Sequence, residues 1–309
     1  MNYADKIAVV TGGGTGMGRE LVRQLAASGC HVAMCDVSEG AMVETQELAL
    51  ADAAAAGHQV RITNHDCDVA DEAAVLRFRD EVVDQHETDH VNLVFNNAGI
   101  SGGASVFENS RESWDRVFDI CWGGVYFGTR AFLPLLVAST EGHLINTASV
   151  NSFWASLGPE RPHTAYSAAK FAVRGFTEAL LTDVGIHAPH VGVSVVMPGH
   201  IGTEIVANSI AMSDEEIPEE LKQFTKQSAE DFRDNAPVSA AEAATVILEA
   251  VKAGKWRILI GADAEWLDAA VRADPEAAYS GPEFLIGFQR AGGKDPDSPL
   301  VARAEEDQK

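Results

Sequence analysis

Short apolar runs rich in β-branched residues alternate along this chain with longer stretches in which apolar positions return every three or four residues. The first pattern suits strands buried on both faces, and the second suits helices that cover them. Residues 6–11, 31–36, 59–66, 91–96, 142–149, 191–197 and 256–261 read as strands, and helices are predicted to begin near Gly16, Ser38, Asp71, Ser110, His163 and Ala240. Strand, helix and strand in repetition is the mark of parallel βαβ units. The chain is therefore predicted to be an α/β protein with a doubly wound, seven-stranded parallel sheet, in a single domain over residues 1–262.

Two segments break the rhythm. Residues 204–237 join the sixth strand to the next helix by a long acidic excursion that also carries Ile205, Val206, Ile210, Met212, Ile217, Leu221 and Phe224. Connections of this length are commonly functional, and a helical lid insertion is expected here. Residues 263–309 read as a C-terminal extension, a helix and then a tail whose end frays beyond Gly292-Gly293 and Pro296. Within it, the run Phe284-Leu285-Ile286-Gly287-Phe288 is expected to bury against a neighbouring element or a partner subunit.

Composition narrows the function classes. The hydrophobic share of 46% supports a sizeable core, while 46 Asp and Glu against 23 Lys and Arg give a net charge of −23. That field repels polyanions, which argues against nucleic acid as a partner and, less strongly, against substrates carried on an acidic protein. Cys30, Cys35, Cys67 and Cys121 form neither a CxxC pair nor a closely spaced framework, as expected of thiols in a reducing compartment. His65-Asp66-Cys67-Asp68 alternates as a strand end does, and no metal site is expected there. The first apolar run follows residues 1–5 directly, leaving no room for a signal peptide, and no apolar stretch reads as long enough to cross a bilayer. A cytoplasmic protein with no membrane partner is expected.

Between the first strand and first helix lies Thr11-Gly12-Gly13-Gly14-Thr15-Gly16-Met17-Gly18. Glycines at 12, 16 and 18 let a tight turn approach a pyrophosphate, toward which the helix start points its N–H groups. Asp36 closes the second strand, where a carboxylate can accept hydrogen bonds from adenosine ribose hydroxyls and repel a 2′-phosphate. No Arg or Lys occupies position 15 or 37, so NAD(H) is expected over NADP(H). Asp68-Val69 and Asn96-Asn97-Ala98-Gly99 fall at the carboxyl ends of the third and fourth strands, where open α/β sheets bind ligands.

Tyr166 and Lys170 are four apart on a predicted helix and so share a face. A fixed ammonium near a phenol favours phenolate and lowers its pKa toward the range of general acid/base work. Tyr126 and Arg130 have the same spacing, so the spacing alone does not select a catalytic pair.

Taken in order, the glycine turn, Asp68, Asn96-Asn97-Ala98-Gly99, Ser149, Tyr166 with Lys170, and Pro198-Gly199-His200-Ile201-Gly202-Thr203 resemble the motifs of the short-chain dehydrogenase/reductase family over roughly residues 6–261. The resemblance implies a Rossmann-type subunit, usually a dimer or tetramer, that moves a hydride between nicotinamide and a carbonyl or alcohol carbon. It implies that Ser149 hydrogen-bonds the substrate oxygen, Tyr166 exchanges its proton, and Lys170 binds the nicotinamide ribose while lowering the Tyr166 pKa. It gives the Ile201 backbone and the Thr203 hydroxyl the task of holding the carboxamide. Gly12, Thr15, Gly16, Met17, Gly18, Asp36, Asp68, Val69, Asn96, Ala98, Gly99, Tyr166, Lys170, Pro198, Gly199, Ile201 and Thr203 thus form the expected cofactor site. One position departs from the pattern. With Trp114, Asp119 and Gly128-Thr129-Arg130 aligned, Cys121 stands where the family commonly has the Asn of its catalytic set, and a thiol is a weaker hydrogen-bonding partner than an amide. Ser149 and Tyr166 are also separated by a longer loop than usual, carrying Pro159-Glu160-Arg161-Pro162-His163, which is expected to shape the pocket mouth.

The leading expectation is an NAD-dependent dehydrogenase for hydrophobic, bulky secondary alcohols and their ketones, the bulk suggested by the apolar lid and by Phe153-Trp154. The alternatives are a non-catalytic NAD(H) sensor or scaffold, and a reductase of 3-oxoacyl thioesters, which fits the acidic charge and Asp36 poorly.

Overall fold

The computed structural model of the chain describes residues 1–102, 105–155, 162–212, 219–279 and 282–291. The loop residues Pro159, Glu160 and Arg161, the lid residues around Ile217, and the tail with Gly292-Gly293 and Pro296 lie outside them.

In chain order the elements are β1 (Ile7–Thr11), α1 (Gly16–Ala27), β2 (His31–Asp36), α2 (Glu39–Ala55), β3 (Ile62–Asp66), α3 (Glu72–Gln85), β4 (Leu93–Asn96), α4 (Arg111–Phe118), α5 (Gly124–Ala138), β5 (Gly142–Thr147), α6 (Thr164–His187), β6 (Val191–Pro198), β7 (Ile201–Gly202), α7 (Ile205–Ala211), α8 (Glu219–Asp234), β8 (Val238–Ser239), α9 (Ala240–Lys252), β9 (Arg257–Ile260), α10 (Ala262–Ala273) and α11 (Pro282–Ala291). Seven strands form one parallel sheet in the order β3-β2-β1-β4-β5-β6-β9. The order reverses between β1 and β4, so the carboxyl ends of these two strands open the crevice in which doubly wound sheets take their ligands.

The period of two along each strand divides the core. In β1, Ala8 and Val10 face one hydrophobic layer with Leu21, Leu25 and Ile247, while Val9 faces the other with Phe78, Phe132 and Leu144. Helix starts follow local chemistry. Ser38, Asp71 and Ser110 accept from backbone N–H groups at the starts of α2, α3 and α4, and Ser239 with Glu242 forms a capping box on α9. Some predicted edges shift. β3 starts at Ile62 and not at 59: at Arg61 the carbonyl still accepts from Val32 N at 2.9 Å, but the N–H donates to the His31 ring in place of a ladder partner. β5 stops at Thr147, since Ser149 caps a short 3₁₀ turn over Val150–Ser152.

The helices α4 and α5 are joined by a π-helical turn, Asp119–Gly123, into one helix from Arg111 to Ala138. This corrects the expectation that no stretch reaches spanning length: the helix has 28 residues, and an 18-residue window of it has a mean hydropathy of 1.3, with 56% of that window buried inside the protein. Phe132 and Leu136 on it pack into the second hydrophobic layer, as in the core helix of a globular fold.

The lid segment holds α7 and α8, and its ends are tied by a short parallel pairing of β7 with β8. The aromatic run of α11 packs within the same chain: Phe284 and Phe288 meet the Trp154 ring at 5.4 and 5.2 Å, and Phe284 also meets Trp266 at 5.1 Å. Phe153 and Trp154 are buried in this third hydrophobic layer beside Val150, Val173 and Leu267, so they belong to the core.

Candidate active site

The glycine turn wraps the carboxyl end of β1. Gly12 has φ +66°, and a Cβ on Gly18 would sit 1.9 Å from the Gly12 carbonyl oxygen, so both positions demand glycine. The turn is clasped from β4: the Asn97 and Ala98 N–H groups both donate to Thr11 Oγ1 at 3.0 Å, and Asn97 Nδ2 donates to the Thr11 carbonyl at 3.1 Å. Asp36 reaches over the turn, its carboxylate accepting from Gly14 N at 3.0 Å and Ser38 N at 3.1 Å. Arg19 is held by the Gly14 carbonyl, Thr45 and Glu44.

A cleft runs past these groups. Its walls include Gly12, Thr15, Gly16, Met17, Gly18, Asp36, Asp68, Val69, Ala98, Gly99 and Thr203, expected for the cofactor, with Asn97 of the fourth strand's motif and Ile205 and Met212 of the lid, and also Ile100, Ile120 and Asn208, which the sequence does not single out. The lid's first helix closes over the glycine-turn end of this cleft: Asn208 Nδ2 donates to Thr15 Oγ1 at 3.0 Å, and Ser209 Oγ accepts from the Ser101 N–H at 2.7 Å. Asp68 is engaged, accepting from Ala70 N at 3.0 Å and pairing with Arg116 at 2.7 Å.

Asn96 is placed elsewhere than expected. Its side chain is 2% exposed and points into the core, where Nδ2 donates to Asn146 Oδ1 at 2.8 Å and Thr129 Oγ1 at 3.2 Å. It stitches β4 to β5 and α5, and its neighbour Asn97 faces the cleft; the alternation of a strand end decides which of two adjacent Asn residues turns inward. Pro198 ends β6, and the Ile201 side chain is buried in the first hydrophobic layer.

Ser149, Tyr166 and Lys170 meet at the carboxyl ends of β5 and the start of α6. Tyr166 is 9% exposed and Lys170 is 2% exposed. The Ser149 side chain hydrogen-bonds the phenol, and the Lys170 Nζ lies 5.4 Å from the Tyr166 ring centre while donating to the Thr147 carbonyl at 2.9 Å. The expected lowering of the Tyr166 pKa is not the net effect here. Burial pushes the phenol well above its ordinary value and the Cys121 side chain adds to this, while only the Ser149 hydrogen bond works downward. Burial also lowers the Lys170 ammonium, against a raising influence from Cys121.

Cys121 sits in the π-helical turn, fully buried, with Sγ donating to the Ile100 carbonyl at 3.2 Å. A Cβ placed on Gly99 would find Lys170 Nζ at 3.4 Å and Cys121 Sγ at 3.7 Å, so thiol and ammonium flank one spot. π-turns gather at functional sites, and no periodicity argument could have located this one.

The sequence reading also missed what His163 does. Its ring stacks on Tyr166, with centres 4.7 Å apart and planes at 29°. Nε2 lies 3.5 Å from Ser101 Oγ, Nδ1 is buried without a partner among the described residues, and burial pushes the imidazole down to about 4. Its place three residues before Tyr166, one helical turn away, was the available signal.

Comparison with known proteins agrees with this arrangement. The model of the short chain dehydrogenase family matches residues 6–214. The Mycobacterium tuberculosis protein SadH, an oxidoreductase by its given name, is 35% identical over 273 residues, covering 88% of this chain and 91% of its own. Levodione reductase of Leifsonia aquatica is 28% identical over 270 residues, covering 87% of this chain and 92% of its own. A crystal structure of a short-chain dehydrogenase/reductase from Burkholderia phymatum in complex with NAD superposes with a TM-score of 0.74 at 27% identity, covering 97% of this chain and 99% of that one. Fold, motif order and relatives agree, and the chain belongs to the short-chain dehydrogenase/reductase family of oxidoreductases.

Proposed function

We propose that the chain is an NAD(H)-dependent oxidoreductase that interconverts a hydrophobic secondary alcohol and its ketone, with Tyr166 as general acid and base. The observation that carries this reading is the buried meeting of Ser149, Tyr166 and Lys170 beside a glycine-turn cleft. The residues present fit a dinucleotide. The Gly12 and Gly18 positions leave backbone bare where a pyrophosphate would rest at the start of α1, and the Asp36 carboxylate stands where a 2′-phosphate would be repelled. When bound, the nicotinamide ring would accept or deliver the hydride.

The protein's own residues do the rest. Two hydroxyls, on Ser149 and Tyr166, stabilise charge on the substrate oxygen as it develops. Tyr166 gives that oxygen its proton during reduction and takes it back during oxidation. Lys170 has three donors and spends one on the Thr147 carbonyl, which fixes its stem and leaves two for ribose hydroxyls. Ile100, Ile120 and Met212 make the adjoining wall apolar, which supports an uncharged, hydrophobic substrate. Tyr126 and Val137 on α5 and Phe171 on α6 stay exposed, which supports assembly through that face as a homodimer or homotetramer.

The test is a panel of hydrophobic secondary alcohols with NAD and with NADP, followed by absorbance of the reduced nucleotide. Turnover with NAD, at least tenfold more efficient than with NADP, is expected. Absence of turnover on every member with NADH still bound would replace the enzyme by a sensor, and a preference for NADP would overturn the role given to Asp36.

A further inference from the structure

A buried carboxylate outside the motifs above sits against the turn that follows β6. Asp263, in the first turn of α10, is 1% exposed and makes no ion pair among the described residues. Its Oδ2 accepts from the His200 N–H at 2.7 Å and its Oδ1 from the Ala264 N–H at 2.9 Å. Removing a carboxylate from water without a cation partner is unfavourable, so its retention calls for a specific task. The surrounding chain is shaped to admit it. A Cβ on Gly199 would lie 2.2 and 2.3 Å from the two carboxylate oxygens, and one on Gly261, whose φ is +100°, would lie 2.3 Å from Oδ1. Gly199 therefore makes room for Asp263, a different reason for glycine than the cofactor contact its motif suggests.

The turn held in this way leads straight to the cleft. Gly199 N donates to the Ile260 carbonyl at 2.9 Å, and the His200 ring, 4.3 Å from that of Phe232, approaches the Phe232 carbonyl of α8 at 2.7 Å. Ile201 and Gly202 then pair with Val238 and Ser239, and Thr203 packs against Gly16 of the glycine turn, within 3.1 Å of where a Cβ on Gly16 would be. Because Asp263 grips the backbone three residues before Thr203, a displaced carboxylate moves the Ile201–Thr203 stretch and leaves the adenosine end, built on β1 and β2, in place.

We propose that Asp263 is a positioning residue that holds the segment from Gly199 to Thr203 against the nicotinamide half of the cofactor; this rests on the NAD(H) reading above. The substitution Asp263→Asn keeps the shape but sets an amide N–H₂ against one of two backbone N–H donors. The expected result, by calorimetric titration of the full chain, is NADH binding weakened about tenfold while ADP-ribose, which lacks the nicotinamide ring, binds within twofold of the parent protein. Gly199→Ala, which presses on the carboxylate from the other side without removing its charge, should give the same split and serves if Asp263→Asn fails to fold. Equal losses for both ligands, or no loss for either, would overturn the proposal. A parent protein that binds neither ligand would overturn the NAD(H) reading itself, and the proposal with it.

Discussion

Two helices of this molecule carry a tyrosine followed four residues later by a cation, and only one of the pairs is buried. On α5, Tyr126 is 38% exposed and stacks on Trp122 at 5.8 Å, with Arg130 out in solvent. On α6, Tyr166 is 9% exposed and Lys170 is 2% exposed, one hydrogen-bonded by Ser149 and the other tied to the Thr147 carbonyl. The helix delivers the same relative placement in both cases. What differs is the ground on which each stands: α6 begins where β5 ends at the switch-point cleft, whereas Tyr126 faces outward. A solvated guanidinium is screened and free to swing, but an ammonium fixed in a dry pocket holds one position against one ring.

Removing the hydroxyl from each member of the comparison should break it most sharply. Tyr166→Phe is expected to lower kcat by about 10³-fold, the scale of general acid/base catalysis, with NADH affinity kept, whereas Tyr126→Phe should leave kcat within twofold. A comparable loss in both would mean that the outward pair takes part, and full activity of Tyr166→Phe would remove the phenol from the mechanism. Burial raises the Tyr166 pKa, so the phenol stays protonated at neutral pH, the form that donates to a ketone. Alcohol oxidation, which needs the proton gone, should therefore climb with pH above 7 while ketone reduction does not; an oxidation rate that is flat from pH 7 to 10 would contradict this direction.

Which parts were legible beforehand follows from the range of the physics involved. Strand and helix order, the glycine turn and Asp36 could be read because their signals are local: periodicity, absent Cβ atoms, one carboxylate after one strand. The inward turn of Asn96 in place of Asn97 depends on the strand's register against β5, and Trp154 became core because α11, more than a hundred residues later, covers it. The lid was legible as an excursion, but its seat over the glycine turn rests on contacts between residues far apart in the chain, Asn208 with Thr15 and Ser209 with Ser101. Asp263 and the π-helical turn had no sequence signal, since one needs two distant glycines brought together and the other is an irregularity inside a regular helix.

His163 offers a finer way to test what separates the two tyrosines, since each has an aromatic neighbour. If the His163 ring holds Tyr166 in place, His163→Ala should lower kcat up to about tenfold, the equivalent of a lost ring stack, and His163→Phe should restore most of it with KM little changed. Equal losses in the two variants would instead assign the effect to the imidazole nitrogens. The pH dependence of stability separates these readings further. An imidazole pushed down to about 4 when folded, against about 6.5 when unfolded, binds its proton more readily in the unfolded chain. Its contribution to stability is therefore full above about 6.5 and is lost as pH falls toward 4. His86 and His143 are pushed down to about 4 in the same way, so His163→Phe should flatten the acid limb of a urea-midpoint profile only in part. An unchanged limb would mean that the ring is not buried as described.

The smallest effect is expected at Cys121, where α6's pair meets the one residue that departs from the family pattern. The thiol donates to the Ile100 carbonyl and the ammonium to the Thr147 carbonyl, so each already has a backbone oxygen as partner. Cys121→Asn would bring two donors and an acceptor into a fully buried position that has one evident partner, so stability should fall by about 1–3 kcal/mol from the groups left unpaired. Activity should change by less than about threefold, because the Thr147 carbonyl and not the residue at 121 sets the position of Lys170. Initial rates across pH on the folded variant decide the matter. A gain of tenfold or more would mean that the cysteine interrupts a proton path behind Lys170, and that burial of the pair, sufficient to tell Tyr166 from Tyr126, is not by itself sufficient for full catalysis.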